Sequence, residues 1–296
     1  MPTRETAPSA DRSSPLLKLR IRGVFKHLPR GLGGDEEAVH QLRVAGRRLR
    51  VALPLLAKKP HGRRVKRALR VLRDLTRTAG TSRDLDVAVA LLEERLGALE
   101  APSPEQRDLL RRLRAARTRS RSRMAEGLMD LEIAGLRRDL RAVVARRAED
   151  LFTALGRLRD LADDEGMAVA AGFVEVGERL DPVALHGLRR RARRLRYAAE
   201  VSDVLRGEES GAPPLWRQLQ DRIGALHDRH VLAEYLGRQA EAIAKRGKPA
   251  LAEAARTEQA FFLEETRRLH QELLESRPAD LTDRALQAMG RTRPAA

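Results

Sequence analysis

Apolar residues recur at three- and four-residue intervals along this chain, and strand signals are few. Leu17, Ile21, Val24 and Leu28 mark a first helix, opened by Ser14-Pro15 and broken over Pro29 to Gly34. A second is expected from about Asp35 to Ala57, stopped near Pro60. Val65, Leu69, Leu72 and Leu75 mark a third, with Lys66, Arg70 and Arg73 beside its apolar face and Gly80 as its expected end. Thr81-Ser82-Arg83-Asp84 reads as a capping box for a fourth helix, carrying Val87 and Leu91 to about Leu99. Ser103-Pro104-Glu105-Gln106 then opens a fifth.

The second half repeats this order. Asp181-Pro182 opens a helix, Pro213-Pro214 precede one bearing Trp216, Leu219 and Ile223, Gly224 falls where Gly80 fell, and Pro249 opens a long helix as Pro104 did. The helix over Val39–Leu56 recurs in register at 185–202, so that His40, Leu42, Arg43, Arg47, Arg48, Leu49 and Arg50 match His186, Leu188, Arg189, Arg193, Arg194, Leu195 and Arg196. The expected architecture is all-α, with two pseudo-repeated helical bundles over residues 15–148 and 149–290 and tails at 1–14 and 291–296. A glycine-containing linker, Gly166 to Gly177, is expected between them, after an acidic patch of Asp160, Asp163, Asp164 and Glu165. Bundles packed with their basic stripes toward each other would share a positive groove.

Charge narrows the partners. Lys and Arg number 59 against 42 Asp and Glu, a net charge of +17 with a pI near 11.2, so the protein attracts polyanions. Cysteine is absent, which removes disulfides and thiolate metal sites and fits a reducing cytoplasm. Met1 to Ser14 has no apolar run, so no signal peptide is expected there, and no stretch has the length and apolarity of a membrane helix.

On a helix advancing about 100° per residue, His40, Arg43, Arg47 and Arg50 fall on one stripe, beside a packing stripe of Leu42, Gly46, Leu49, Leu53 and Leu56. Guanidinium groups are planar, permanently charged and match phosphate oxygens with parallel donors. Such a row can hold successive phosphates of a flexible chain without recognising base or sugar. His40 and His186 are open to three roles: phosphate donor, neutral core donor or metal ligand. His227 and His230 form the one close histidine pair, a weak metal signal, and no metal site is expected. Asp84 and Asp228 read as helix caps that also orient an arginine. The run from Arg107 to Arg123, with eight arginines and one aspartate, spans more than one helix face, so part of it is solvated.

The pattern His-x-x-Arg-x-x-x-Arg-Arg-Leu-Arg, once per half, resembles the CHAD domain. The resemblance extends to Gly80-Thr81-Ser82-Arg83-Asp84-Leu85-Asp86-Val87 and to Gly224-Ala225-Leu226-His227-Asp228-Arg229-His230-Val231, and covers roughly residues 15 to 290. It implies a polyphosphate-binding module, found alone or joined to a triphosphate-tunnel domain for which no room is expected here. His227 and His230, and the acidic linker, depart from the family's habit. The expected binding residues are His40, Arg43, Arg47, Arg48, Arg50, Lys66, Arg70, Arg73, His186, Arg189, Arg193, Arg194 and Arg196.

Inorganic polyphosphate is therefore the first expected partner, with the cytoplasm as the location and polyphosphate granules as the candidate place within it. Binding to a nucleic-acid backbone is the alternative. Aromatics at 3% are too few for single-strand stacking platforms, whereas a duplex-backbone binder needs none. An enzyme would need paired carboxylates or a phosphate loop, and neither pattern is present. No cofactor and no catalytic residue are expected.

Overall fold

The structure, a computed structural model, describes residues 11–177 and 180–290. The expected tails lie outside it at residues 1–10 and 291–296. Ten α-helices make up the fold among the described residues: α1 Ser13–Leu32, α2 Glu36–Leu56, α3 Arg63–Gly97, α4 Pro104–Met129, α5 Ile133–Val144, α6 Leu151–Val176, α7 Pro182–Arg206, α8 Ala212–Ala244, α9 Pro249–Glu275 and α10 Pro278–Ala288. The one extended pairing is an isolated bridge between Ala57 and Ala148.

Several helix starts follow the local chemistry. Asp35 accepts from the Ala38 N–H at 2.7 Å and opens α2. Ser103 and Gln106 form the expected capping box at α4, and Asp181 caps α7 ahead of Pro182. Other local rules lose to packing. Pro29 lies inside the last turn of α1, which runs on to Leu32. Gly80 does not end α3, and the expected capping box at 81–84 lies within that helix, which continues for 35 residues. Gly224 likewise sits inside the 33-residue α8. A glycine in a helix costs only about 1 kcal/mol. Here that is outweighed by apolar side chains buried on both sides of each glycine: Leu72, Leu75, Ala79, Val89, Leu92 and Leu96 on α3, and Leu219, Ile223, Leu226, Ala233, Leu236 and Ala240 on α8.

The expected linker at 166–177 is also helical, as the C-terminal part of α6. Its glycines serve close packing. A Cβ on Gly172 would stand 3.3 Å from Leu188 Cδ1 of α7, and one on Gly46 would stand 2.9 Å from Thr76 Cγ2. The second contact holds α2 tightly against α3.

Two hydrophobic cores result, and they do not coincide with the two halves of the sequence. The larger gathers α1, α2, α5, α6, α7 and α10 with the N-terminal portions of α3 and α8 and the C-terminal ends of α4 and α9. Trp216 lies fully buried in it and donates from its indole to Met289 Sδ at 3.3 Å. The smaller gathers the C-terminal portions of α3 and α8 with α4 and α9. The buried carboxylate of Glu258 on α9 joins three helices there, accepting from Arg95 of α3 at 3.3 Å and from Gln106 of α4 at 2.6 Å. Between the cores, α3 and α8 carry polar segments, Ser82–Asp86 and His227–His230. The candidate site forms beside these segments.

Candidate polyanion site

The arginine rows of α2 and α7 come together at this seam. Arg43 reaches Asp84 of α3 at 3.7 Å, and Arg189 reaches Asp228 of α8 at 3.1 Å. Asp84 and Asp228 therefore do not cap helices; they orient arginines from mid-helix positions. Both carboxylates come from the polar segments between the cores, so the continuity of α3 and α8 is what places them.

Residues matched in the two copies face one another. Arg43 feels Arg189, and Arg47 feels Arg193. All four guanidinium groups are mostly sheltered from water. Burial, and then Arg193, push Arg47 far below the ordinary arginine range; burial, and then Arg189, push Arg193 the same way. Arg47 and Arg193 have no carboxylate within ion-pair reach among the described residues. A buried cation beside like charges is unfavourable unless something negative joins it.

A second group flanks the first. Arg50 donates to Thr76 Oγ1 at 3.1 Å, and burial, followed by Arg73, Arg190 and Arg194, lowers its pKa. Arg73, Arg70 and Lys66 lie exposed along α3. Arg48, Arg194 and Arg196 are partly committed elsewhere. Glu200 pairs with Arg48 at 2.9 Å and with Arg20 at 3.2 Å, and stands 4.0 Å from Arg196. Glu165 pairs with Arg191 at 3.1 Å and with Arg194. Both arginines flanking Tyr197, Arg48 and Arg196, stack on its ring at 5.7 and 4.8 Å.

The histidines close the site. His186 and His227 stand with ring centroids 5.4 Å apart. His40 is held below its ordinary value by burial and then by Arg83; His186 is lowered by burial and then by Arg190. His227 is lowered to about 4 by burial, followed by Arg189, His186, His230 and Arg193. Nδ1 of His40 and His227, and Nε of Arg43 and Arg196, are buried without a hydrogen-bond partner among the described residues. Unsatisfied buried groups are rare in native proteins and mark places where a ligand or water completes the structure. No group of three or more His, Asp or Glu side chains stands ready to hold a metal ion among the described residues.

A pH effect follows from His227. The unfolded chain takes up a proton near pH 6.5, whereas the folded site resists it down to about 4. Stability is therefore undiminished above about pH 6.5 and is lost as the pH falls toward 4. Thermal melts of the ligand-free protein over that range are expected to show the loss, and His227→Gln is expected to flatten it.

Sequence reasoning missed Arg83, Arg190, Glu165 and Glu200 as parts of this site. Arg190 was legible, since it stands four residues after His186 on the same helix stripe. Arg83 was hidden by the expected capping box. Of the Arg107–Arg123 run, Arg111 and Arg112 pair with Asp108, Arg114 with Glu93, and Arg121 with Glu36 and Asp86, while Arg107, Arg119 and Arg123 are exposed. None of these lies in the seam.

The CHAD domain family model matches residues 16–237. A crystal structure of the CHAD domain from the plant Ricinus communis is similar in fold, with a TM-score of 0.61 at 22% identity, over 99% of this chain and 97% of that one. No curated protein matches the sequence. No helix among the described residues is long and apolar enough to cross a membrane.

Proposed function

Because this chain belongs to the CHAD domain family, we propose that the seam between α2 and α7 binds inorganic polyphosphate, the class of ligand associated with that domain. The observation that carries this reading is the facing set Arg43, Arg47, Arg189 and Arg193, half-buried together, with Arg47 and Arg193 lacking a carboxylate within ion-pair reach among the described residues. A thin, flexible chain with one negative charge per unit can enter such a seam and place a charge between each facing pair. Duplex nucleic acid presents its phosphates on a wide, stiff rod and is suited to an exposed basic surface instead. The unpartnered Nδ1 atoms of His40 and His227 belong to rings that stand close to the same arginines. Duplication of one helical unit is part of the proposal. It is supported by the register of the two copies and by the parallel pairs Arg43–Asp84 and Arg189–Asp228.

The reading is of a binder without turnover. The carboxylates beside Arg43 and Arg189, Asp84 and Asp228, are held by those arginines, and burial raises the pKa of Asp228. Residence on cytoplasmic polyphosphate granules is the cellular counterpart of this proposal.

Competition titration tests it. With labelled long-chain polyphosphate bound at about 0.15 M salt, unlabelled polyphosphate is expected to displace the label at far lower phosphate concentration than duplex or single-stranded DNA, because salt screens diffuse attraction more than buried contacts. Equal displacement by all three would reduce the seam to generic basicity.

A further inference from the structure

A cavity of about 340 Å³ lies away from the seam, between the N-terminal turn of α3 and the end of α5. Its walls carry Lys58, Lys59, Arg63, Arg64, Arg67 and Arg146 over an apolar floor that includes Val143. Arg67 is spoken for, since Asp139 of α5 accepts from it twice, at 2.8 and 2.7 Å. Lys58, Lys59, Arg63 and Arg146 have no carboxylate within ion-pair reach among the described residues. On the Arg107–Arg123 helix, by contrast, four of the eight arginines meet an acid.

The concavity is also built rigidly. Ala57 bridges to Ala148, and the Glu149 N–H donates to the Leu56 carbonyl at 2.8 Å. Arg157 donates to the carbonyls of Leu55 and Ala57 at 3.3 and 2.9 Å and pairs with Glu149 at 2.6 Å. The Gly62 N–H closes the lysine turn on Lys59 O at 3.0 Å. The cations are exposed, so the braced loop holds open a solvated cationic hollow beside the first turn of α3, where the unpaired backbone N–H groups favour an anion. The first turn of α3 holds no acid, and Gly62 supplies no side-chain cap.

We propose that this cavity is a second oligophosphate site, distinct from the seam; as a site for free oligophosphate it stands whatever the seam binds, and as a site for a chain's end it rests on the function proposed for the seam. The ligand class is a short, multiply charged phosphate: either free, or the end of a long chain whose middle lies in the seam. The second source is geometrically available. Arg73, which neighbours Arg50, begins an exposed stripe that continues through Arg70 and Lys66 to Arg63, about 15 Å along α3.

Titration calorimetry with tripolyphosphate at one salt concentration tests the site in five full-length proteins. These are the parent, Lys58→Ala/Lys59→Ala/Arg63→Ala, the distant exposed triple Lys245→Ala/Arg246→Ala/Lys248→Ala, Arg43→Ala/Arg47→Ala/Arg50→Ala in the seam, and the seam and cavity triples combined. The cavity triple is expected to weaken tripolyphosphate binding about tenfold or more, with the distant triple within about twofold of the parent. The seam triple should keep a tripolyphosphate site that the cavity substitutions then abolish. Equal losses in the cavity and distant triples, or no loss in the cavity triple, would overturn the proposal whatever the seam does. Arg146→Ala alone carries the same expectation at smaller size should the triple fold poorly. A parallel titration with long-chain polyphosphate distinguishes the sources: a loss in the cavity triple assigns the site to the chain's end, and an unchanged affinity assigns it to free oligophosphate.

Discussion

Replacing Arg43, Arg47 and Arg50 by alanine is expected to lower affinity for long-chain polyphosphate by about a thousandfold, and replacing Arg189, Arg193 and Arg196 should do nearly the same. Each charge-assisted bond contributes about 1.5–3 kcal/mol, and three of them are not fully additive. The two rows face one another, so removing either leaves a ligand phosphate with a donor on one side only. The slope of log affinity against log salt should also become shallower by about 2–3, one counterion term for each lost contact, by analogy with nucleic-acid backbones. Arg107→Ala/Arg119→Ala/Arg123→Ala removes the same charge from exposed positions on α4 and serves as the control. If that control weakens binding as much as either row, with helical content intact by circular dichroism, attraction is diffuse and the seam is not the site.

Arg47→Met/Arg193→Met is expected to make the ligand-free protein more stable while removing the centre of the site. Both side chains are half-buried, both have depressed pKa values with burial as the first cause and another guanidinium as the second, and neither has a carboxylate partner among the described residues. Replacing buried charges by apolar groups of similar volume gains about 1–4 kcal/mol in proteins where the charges were at least paired. A gain in that range should raise the melting temperature by several degrees. Long-chain polyphosphate should then reverse the order: it stabilises the parent by mass action and the variant much less. A variant that melts below the parent without ligand would mean that the facing arginines are compensated by groups other than a bound polyanion.

How much of this was legible beforehand differs by element. The helix starts at Asp35, Ser103 and Asp181 were readable because a cap is a local event involving four residues. The matched arginine rows were readable because register is a property of sequence itself. The middle of α3 and of α8 was not. Gly80 with Thr81-Ser82-Arg83-Asp84 carries the local marks of a helix end, and the apolar positions move to another face of the helix beyond it. Both signs read as two helices; one helix passes through because its two halves pack on different cores, a fact of tertiary structure. Glu165 and Glu200 were missed for a related reason. In sequence Glu165 belongs to an acidic patch before an expected linker, but α6 turns it into the packing between helices, where it meets Arg191 and Arg194. Glu200 sits at the end of the second arginine row, and its role as a shared partner of Arg20, Arg48 and Arg196 depends on three helices meeting.

The way α3 and α8 thread both cores also sets the order in which the chain can become native during synthesis. The smaller core needs Phe262 of α9, and the larger one needs Leu281, Leu286 and Met289, although both begin with residues made long before. Neither core can close while the first half alone has left the ribosome. The early arginine row therefore emerges without the partners that will bury it, in a cell rich in nucleic acid. Contacts between elements so far apart in sequence make folding slow, and the incomplete chain is a basic, sticky polymer throughout that interval. A polyanion that reaches the half-made seam first would act on the nascent protein as a folding template or as a trap, according to whether it leaves room for α7 to dock.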